Sequence, residues 1–176
     1  MTQEILPLDV AIHGFDTVRF VHCFRDFLLF PFLNIYFSFC RSKFTGLPQR
    51  WGDEPVGAYS TGGAVPNMEG KVYFHKGLFG DTIGPFLEEA GSSAFLAYAN
   101  VDCDLYSSTL DVLESFHGRV MPGTIFVFDE YICHPTWRQD EFRAWRECCK
   151  RFGWKYEYLA FSLSTKQAVV RVTDVG

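Results

Sequence analysis

Two apolar runs, residues 94–101 and 124–128, each stop on a carboxylate, Asp102 and Asp129, and sequence with helical spacing follows each. Apolar runs of about four to eight residues, rich in aromatic and β-branched side chains, read as buried strands. A strand that ends and turns into a helix, repeated along a chain, builds an open parallel sheet. Ligands of such sheets bind outside the carboxyl ends of the strands. Acids at two of those ends are placed to hold a hard cation such as Mg²⁺. Asp also ends strands and caps helices with no ligand in view. On these residues alone both readings stay open.

The rest of the chain from Lys71 onward agrees with that architecture. A short strand is expected at 72–75 and a helix at 80–90, where Ile83, Phe86, Leu87 and Ala90 share one face. After the strand at 93–101, Ser107 or Ser108 is expected to cap a helix that ends near His117, and the turn of Pro122 and Gly123 precedes the strand at 124–128. A strong helix is expected over 138–152, apolar at Phe142, Trp145, Cys149 and Phe152 and stopped by Gly153. Its acids Asp140, Glu141 and Glu147 alternate with basic residues as on a solvated face. Two last strands, 155–161 and 166–172, are joined too tightly for a parallel crossover and predict an antiparallel hairpin. The fold class expected is α/β, an open sheet with an antiparallel edge.

The first 70 residues are less regular. Residues 9–15 predict a strand ending at Asp16, and 46–70 are loop-like, rich in Gly and Pro. Between them, 27–40 read FLLFPFLNIYFSFC, with neither a strand nor a helix period. The stretch is too short, and too interrupted by Pro31 and Asn34, to cross a membrane. With 176 residues, 48% of them hydrophobic, the chain is expected to form one domain over 1–176 with a sizeable core. A formal net charge of −5 argues against a nucleic-acid footprint. The six cysteines show no C-x-x-C spacing, and Cys148 and Cys149 are adjacent within a predicted helix. They read as reduced thiols. No charged stretch followed by an apolar one opens the chain, so a cytoplasmic location is expected.

Five strings occur in order: FTGLPQRW at 44–51, GGAVP at 62–66, GLFGDT at 77–82, DCDLYSST at 102–109 and FDEY at 128–131. Together they resemble the macrocin O-methyltransferase family, class I enzymes with a Rossmann-like sheet that use S-adenosylmethionine to methylate sugar hydroxyls of natural products. The likeness covers roughly residues 44–172. It implies that Asp102 binds metal and stands near the acceptor hydroxyl, as the catalytic residue. It implies further that Asp129 and Glu130 complete a Mg²⁺ site (often two aspartates in the family), and that Gly77 and Phe79 lie on the donor's side. The expected partner is a small molecule with a free hydroxyl, a sugar or glycosylated product. The chemistry stands independently of the name: a carboxylate can accept the hydroxyl proton, and a divalent ion can lower its pKa. Asp104 either shares the side of Asp102 or caps the next helix. His134, just past the acidic pair, is a further base or only a loop residue.

Two departures bear on activity. The family's FTGLP string is preceded by a strand ending in an acid that binds the donor's ribose, whereas residues 40–43 here contain none. HGFDT at 13–17 matches the first half of that motif, with Asp16 as the ribose ligand. Residues 18–43 are thus expected to be an insertion, translated from an unspliced intron. Their Phe, Leu, Pro, Ser and Cys, read from pyrimidine-rich codons, crowd before the resumption point like the tract ahead of a splice acceptor. Sequencing the mature transcript checks this; a message that retains these codons would refute it. The other reading is a genuine hydrophobic helix or hairpin packed on the sheet. Second, no G-x-G-x-x-G element precedes Asp16. The first strand and helix are expected to be missing, with either an open seam beside the fourth strand or the inserted residues pressed into it. An open seam favours self-association, hence a homo-oligomer. The functional expectation is a Mg²⁺-assisted, S-adenosylmethionine-dependent O-methyltransferase. Its rival is an inactive remnant or binding module of the same fold. A metal-dependent hydrolase is weaker, for want of a nucleophile.

Overall fold

The computed structural model describes residues 11–15, 34–40, 46–64 and 72–176. Asp16, Val65, Pro66 and residues 18–33 and 41–43, on which parts of the sequence reading fall, lie outside the described residues. Three early strands are β1 (Ala11–Phe15), β2 (Asn34–Cys40) and β3 (Val72–Phe74). The alternation that follows is α1 (Phe79–Ala90), β4 (Phe95–Asp102), α2 (Tyr106–Phe116), β5 (Ile125–Phe128) and α3 (Glu141–Phe152). It closes with β6 (Lys155–Ser162) and β7 (Gln167–Asp174). The sheet has seven strands in the order β3-β1-β2-β4-β5-β7-β6. All neighbours from β3 to β5 pair in parallel, and β7 is antiparallel to both β5 and β6. This is the open α/β sheet with an antiparallel hairpin at one edge that the spacing predicted.

The seam is closed. Asn34–Cys40 runs parallel to β1 on one side and β4 on the other, with Phe39 opposite Val101 and Cys40 opposite Asp102. It occupies the central place where a class I sheet keeps its first strand. Residues 34–40 are therefore neither helix nor hairpin laid on the sheet but a strand within it.

The core lies between the sheet and the helices. Leu96, Ala99 and Val101 of β4, Phe126 and Phe128 of β5, and Ala168, Val170 and Val172 of β7 are buried. Their neighbours are mostly half-buried, the period-2 pattern of a sheet with one fully covered face, interrupted in β4 by a register shift between Leu96 and Tyr98. α2 lies against both α1 and α3. Trp145, fully buried on α3, packs on Phe126, Phe128, Trp154 and Tyr156, with ring centroids 5.1–5.7 Å apart. Each such aromatic buries some 150–250 Å² and so dominates local stability. Arg119, after α2, donates to the carbonyls of Leu87, Gly91 and Ala94 and satisfies the end of α1. Gly153 adopts φ 72°, and the Trp154 N–H reaches back to the Cys149 carbonyl, the helix stop read from the sequence. Burial pushes the Cys148 and Cys149 thiols up to about 12, which keeps them protonated and unreactive. Among the described residues no helix is long and apolar enough to cross a membrane.

The three helices start elsewhere than expected. α2 begins at Tyr106 with Leu105 at its cap, so neither Ser107 nor Ser108 caps it. The Thr109 hydroxyl turns inward to the Leu105 carbonyl instead. α1 starts one residue early, at Phe79. α3 starts at Glu141 rather than 138, because Thr136 donates its hydroxyl to the Asp140 carboxylate at 2.6 Å and holds the preceding residues in turns.

Candidate active site at the carboxyl edge of the sheet

β4 and β5 end side by side, and their pairing continues one step further where the Asp129 N–H donates to the Val101 carbonyl at 2.9 Å. Asp102 is the last residue of β4 and half-buried; Asp129 follows β5 and is likewise half-buried. Asp104 is fully buried at φ 55°, a left-handed conformation uncommon outside glycine. With Leu105 at the cap of α2, Asp104 does not cap that helix. Glu130 is 8% exposed.

Glu141 ties these ends together. Its Oε1 accepts the N–H of Cys103 at 2.9 Å and its Oε2 accepts that of Glu130 at 3.2 Å. One side chain at the start of α3 therefore clamps the loops leaving β4 and β5. The sequence reading put Glu141 on a solvated face, and the structure corrects this: Glu141 is fully buried. Helical spacing held the signal, since 141, 145 and 149 share a face with Trp145 and Cys149. Burial raises the Glu141 carboxyl well above the usual range, and the charges of Asp102, Asp104 and Asp129 raise it further, against the Cys103 N–H bond that lowers it.

The turn between β6 and β7 leans onto the same edge. Lys166 approaches Glu130 at 3.0 Å, and Gln167 donates its amide to Asp129. The N–H groups of Tyr131 and Ile132 donate to the Lys166 carbonyl at 3.0 and 3.1 Å. Neither Lys166 nor Gln167 was singled out from the sequence, because only the hairpin's docking brings them here.

His134 is buried, with Nε2 donating to the Glu130 carbonyl at 2.8 Å and the Trp51 ring edge-on at 5.7 Å. Through that bond and the ring contact, His134 braces the loop after β5. His75 meets Phe86 edge-on and His117 stacks on Phe152, both structural contacts.

The loop 46–64 reaches this edge through Trp51 and closes on itself. Leu47 exchanges backbone hydrogen bonds with Gly57 and Ala58, and at Gly46, φ 92°, a Cβ would stand 2.3 Å from the Gly57 carbonyl oxygen. Beside it lies a cleft of about 320 Å³, lined among others by Gln49, Phe79, Asp81, Ser107, Ser108 and Asp111. Hydroxyls, an amide and carboxylates at its wall suit a ligand bearing hydroxyl or amino groups. Phe79 reaches the cleft but is itself buried in the core. Gly77, at φ 148°, answers a packing need: a Cβ there would stand 2.7 Å from the Thr82 methyl.

The Mg²⁺ expected from the resemblance finds no support in this geometry. Among the described residues no three His, Cys, Asp or Glu side chains are placed to share one ion. Asp129 and Glu130 instead face Gln167 and Lys166.

Residues 67–152 match the model of the macrocin-O-methyltransferase (TylF) family. That span runs through β3, α1, β4, α2, β5 and α3 and contains the whole acidic edge. No curated protein matches the sequence significantly. Among solved structures, CalS11, a calicheamicin methyltransferase, superposes with a TM-score of 0.56 at 22% identity, covering 78% of this chain and 60% of its own. The O-methyltransferase NovP superposes with a TM-score of 0.54 at 20% identity, covering 80% of this chain and 60% of its own. At these identities the two structures show the fold, and the chain spans about three-fifths of the length of each.

Proposed function

We propose, from a chain that is macrocin-O-methyltransferase-like over residues 67–152, that the protein transfers a methyl group to a hydroxyl of a sugar or other small natural product. The observation that carries this reading is the acidic edge held by Glu141, which lies inside the matched span. S-adenosylmethionine would supply the methyl as a sulfonium. The half-buried Asp102 accepts the acceptor's proton as its oxygen forms the new bond to carbon and the sulfur–carbon bond breaks. The cleft at the starts of α1 and α2, with Phe79 in its wall and Gly77 shaping the turn before it, receives the donor's hydroxyl- and amine-bearing part. Asp16, outside the described residues, is assigned to the ribose by resemblance alone. Mg²⁺ assistance, the finer expectation, draws no support from the way Asp129 and Glu130 are engaged, and no step is routed through it.

Calorimetric titration of the folded chain with S-adenosylhomocysteine, with and without Mg²⁺, tests the proposal. Saturable binding is expected in both arms. A folded sample that takes up none would overturn the donor reading and leave a binding module of the same fold.

A further inference from the structure

The acidic edge carries its own cation. Lys166 Nζ lies 3.0 Å from Oε2 and 3.3 Å from Oε1 of Glu130, so it bridges both oxygens of one carboxylate. The next residue, Gln167 at the start of β7, donates its amide to Asp129, so two consecutive residues serve the consecutive acids after β5. The backbone fixes this arrangement. Lys166 sits at φ 62°, and its carbonyl accepts the N–H groups of both residues that follow Glu130. A surface Lys–Glu pair contributes only about 0–1 kcal/mol because water screens it. Here the Glu130 side chain is 11% exposed, and its N–H is held by Glu141, itself surrounded by Asp102, Asp104 and Asp129. With Lys166 itself 38% exposed, solvent screens the pair only on the lysine's side, and the positive charge offsets repulsion among the buried acids.

We propose that Lys166 is the resident cation of this edge, standing where the resemblance puts a divalent ion, so that the site is organised without a bound metal. It is a positioning residue: it holds Glu130 while Gln167 holds Asp129, and together they keep the edge in one geometry for a proton-accepting carboxylate. The inference concerns the same edge as the proposed methyl transfer. Metal uptake and S-adenosylhomocysteine binding are read separately, so either can fail alone.

The test is titration of the full chain with Mn²⁺, following the free ion by electron paramagnetic resonance, with circular dichroism to confirm folding. Wild type and Lys166→Arg, which keeps the charge, should show the same weak uptake. Lys166→Met should bind Mn²⁺ about tenfold more tightly or better, because a repelling charge is gone and a carboxylate is freed. Adding Asp129→Asn should remove that gain and so locate the ion. If Lys166→Met does not fold, Lys166→Gly, which suits the left-handed turn, reads the same quantity. Wild type binding Mn²⁺ as tightly as the uncharged variant, or a gain that survives Asp129→Asn, would overturn the proposal.

Discussion

Glu141→Ala is expected to destabilise the protein by about 2–5 kcal/mol, since two buried N–H groups each lose an acceptor at about 1–3 kcal/mol. The donors are those of Cys103 and Glu130, in the loops leaving β4 and β5. Removing the carboxyl also relieves repulsion from Asp102, Asp104 and Asp129, which works in the opposite direction. That relief is small where Glu141 is protonated, so the unmet donors decide the sign. Glu141→Gln keeps one acceptor and should lose less. The pH dependence separates the two effects. The folded-state pKa of Glu141 lies above its unfolded value, so the folded protein holds this proton more tightly. Its contribution is full below the unfolded pKa and declines as pH rises from there through the folded one. Urea unfolding across that window should show wild-type stability falling relative to Glu141→Gln. Parallel profiles for the two proteins would refute a raised pKa at this site.

Trp145→Ala should cost about 3–5 kcal/mol, the usual loss for deleting a large buried aromatic. The ring is fully buried and joins α3 to β5 through Phe126 and Phe128, to β6 through Tyr156, and to Trp154 between them. Alanine would leave a cavity under β5, the strand that Asp129 follows, so the acidic edge should loosen with the core. Trp145→Phe should cost much less, about 1–2 kcal/mol. It keeps most of the ring contacts and removes an indole N–H that finds no acceptor among the described residues. The urea midpoints of the three proteins measure this. A Phe variant as unstable as the Ala variant would show that the full indole volume, rather than one aromatic ring, is what the site requires.

Much of the second half of the fold was legible because its signals are local. Ala168, Val170 and Val172 are buried in a strand, and Ala144, Trp145, Cys148 and Cys149 in a helix, at the spacings that backbone geometry imposes. Gly153 stops α3 because a left-handed residue there costs glycine little. Asp102 and Asp129 fell at strand ends for the same reason: apolar side chains run out where the sheet does. Helix starts were less legible. The side-chain bond from Thr136 to Asp140 moved the start of α3, and it competes with the helix on nearly equal terms. Glu141 was misassigned because a charged residue at a helix start is usually solvated, and only the packing of α3 on the ends of β4 and β5 buries it.

By itself the sequence determined the βα alternation, the closing hairpin, the two acidic strand ends and the resemblance that five ordered strings carry. Each depends on periodicity or on contacts between near neighbours in the chain. Tertiary structure alone decided which strand fills the centre of the sheet, which carboxylate ties β4 to β5 and which cation meets Glu130. Asn34–Cys40 lies about sixty residues from its partner β4, Glu141 lies 38 residues from Cys103, and Lys166 lies 36 from Glu130. No local preference encodes such pairings; they form because closing the core brings these residues to one edge, where burial makes each charge find a partner.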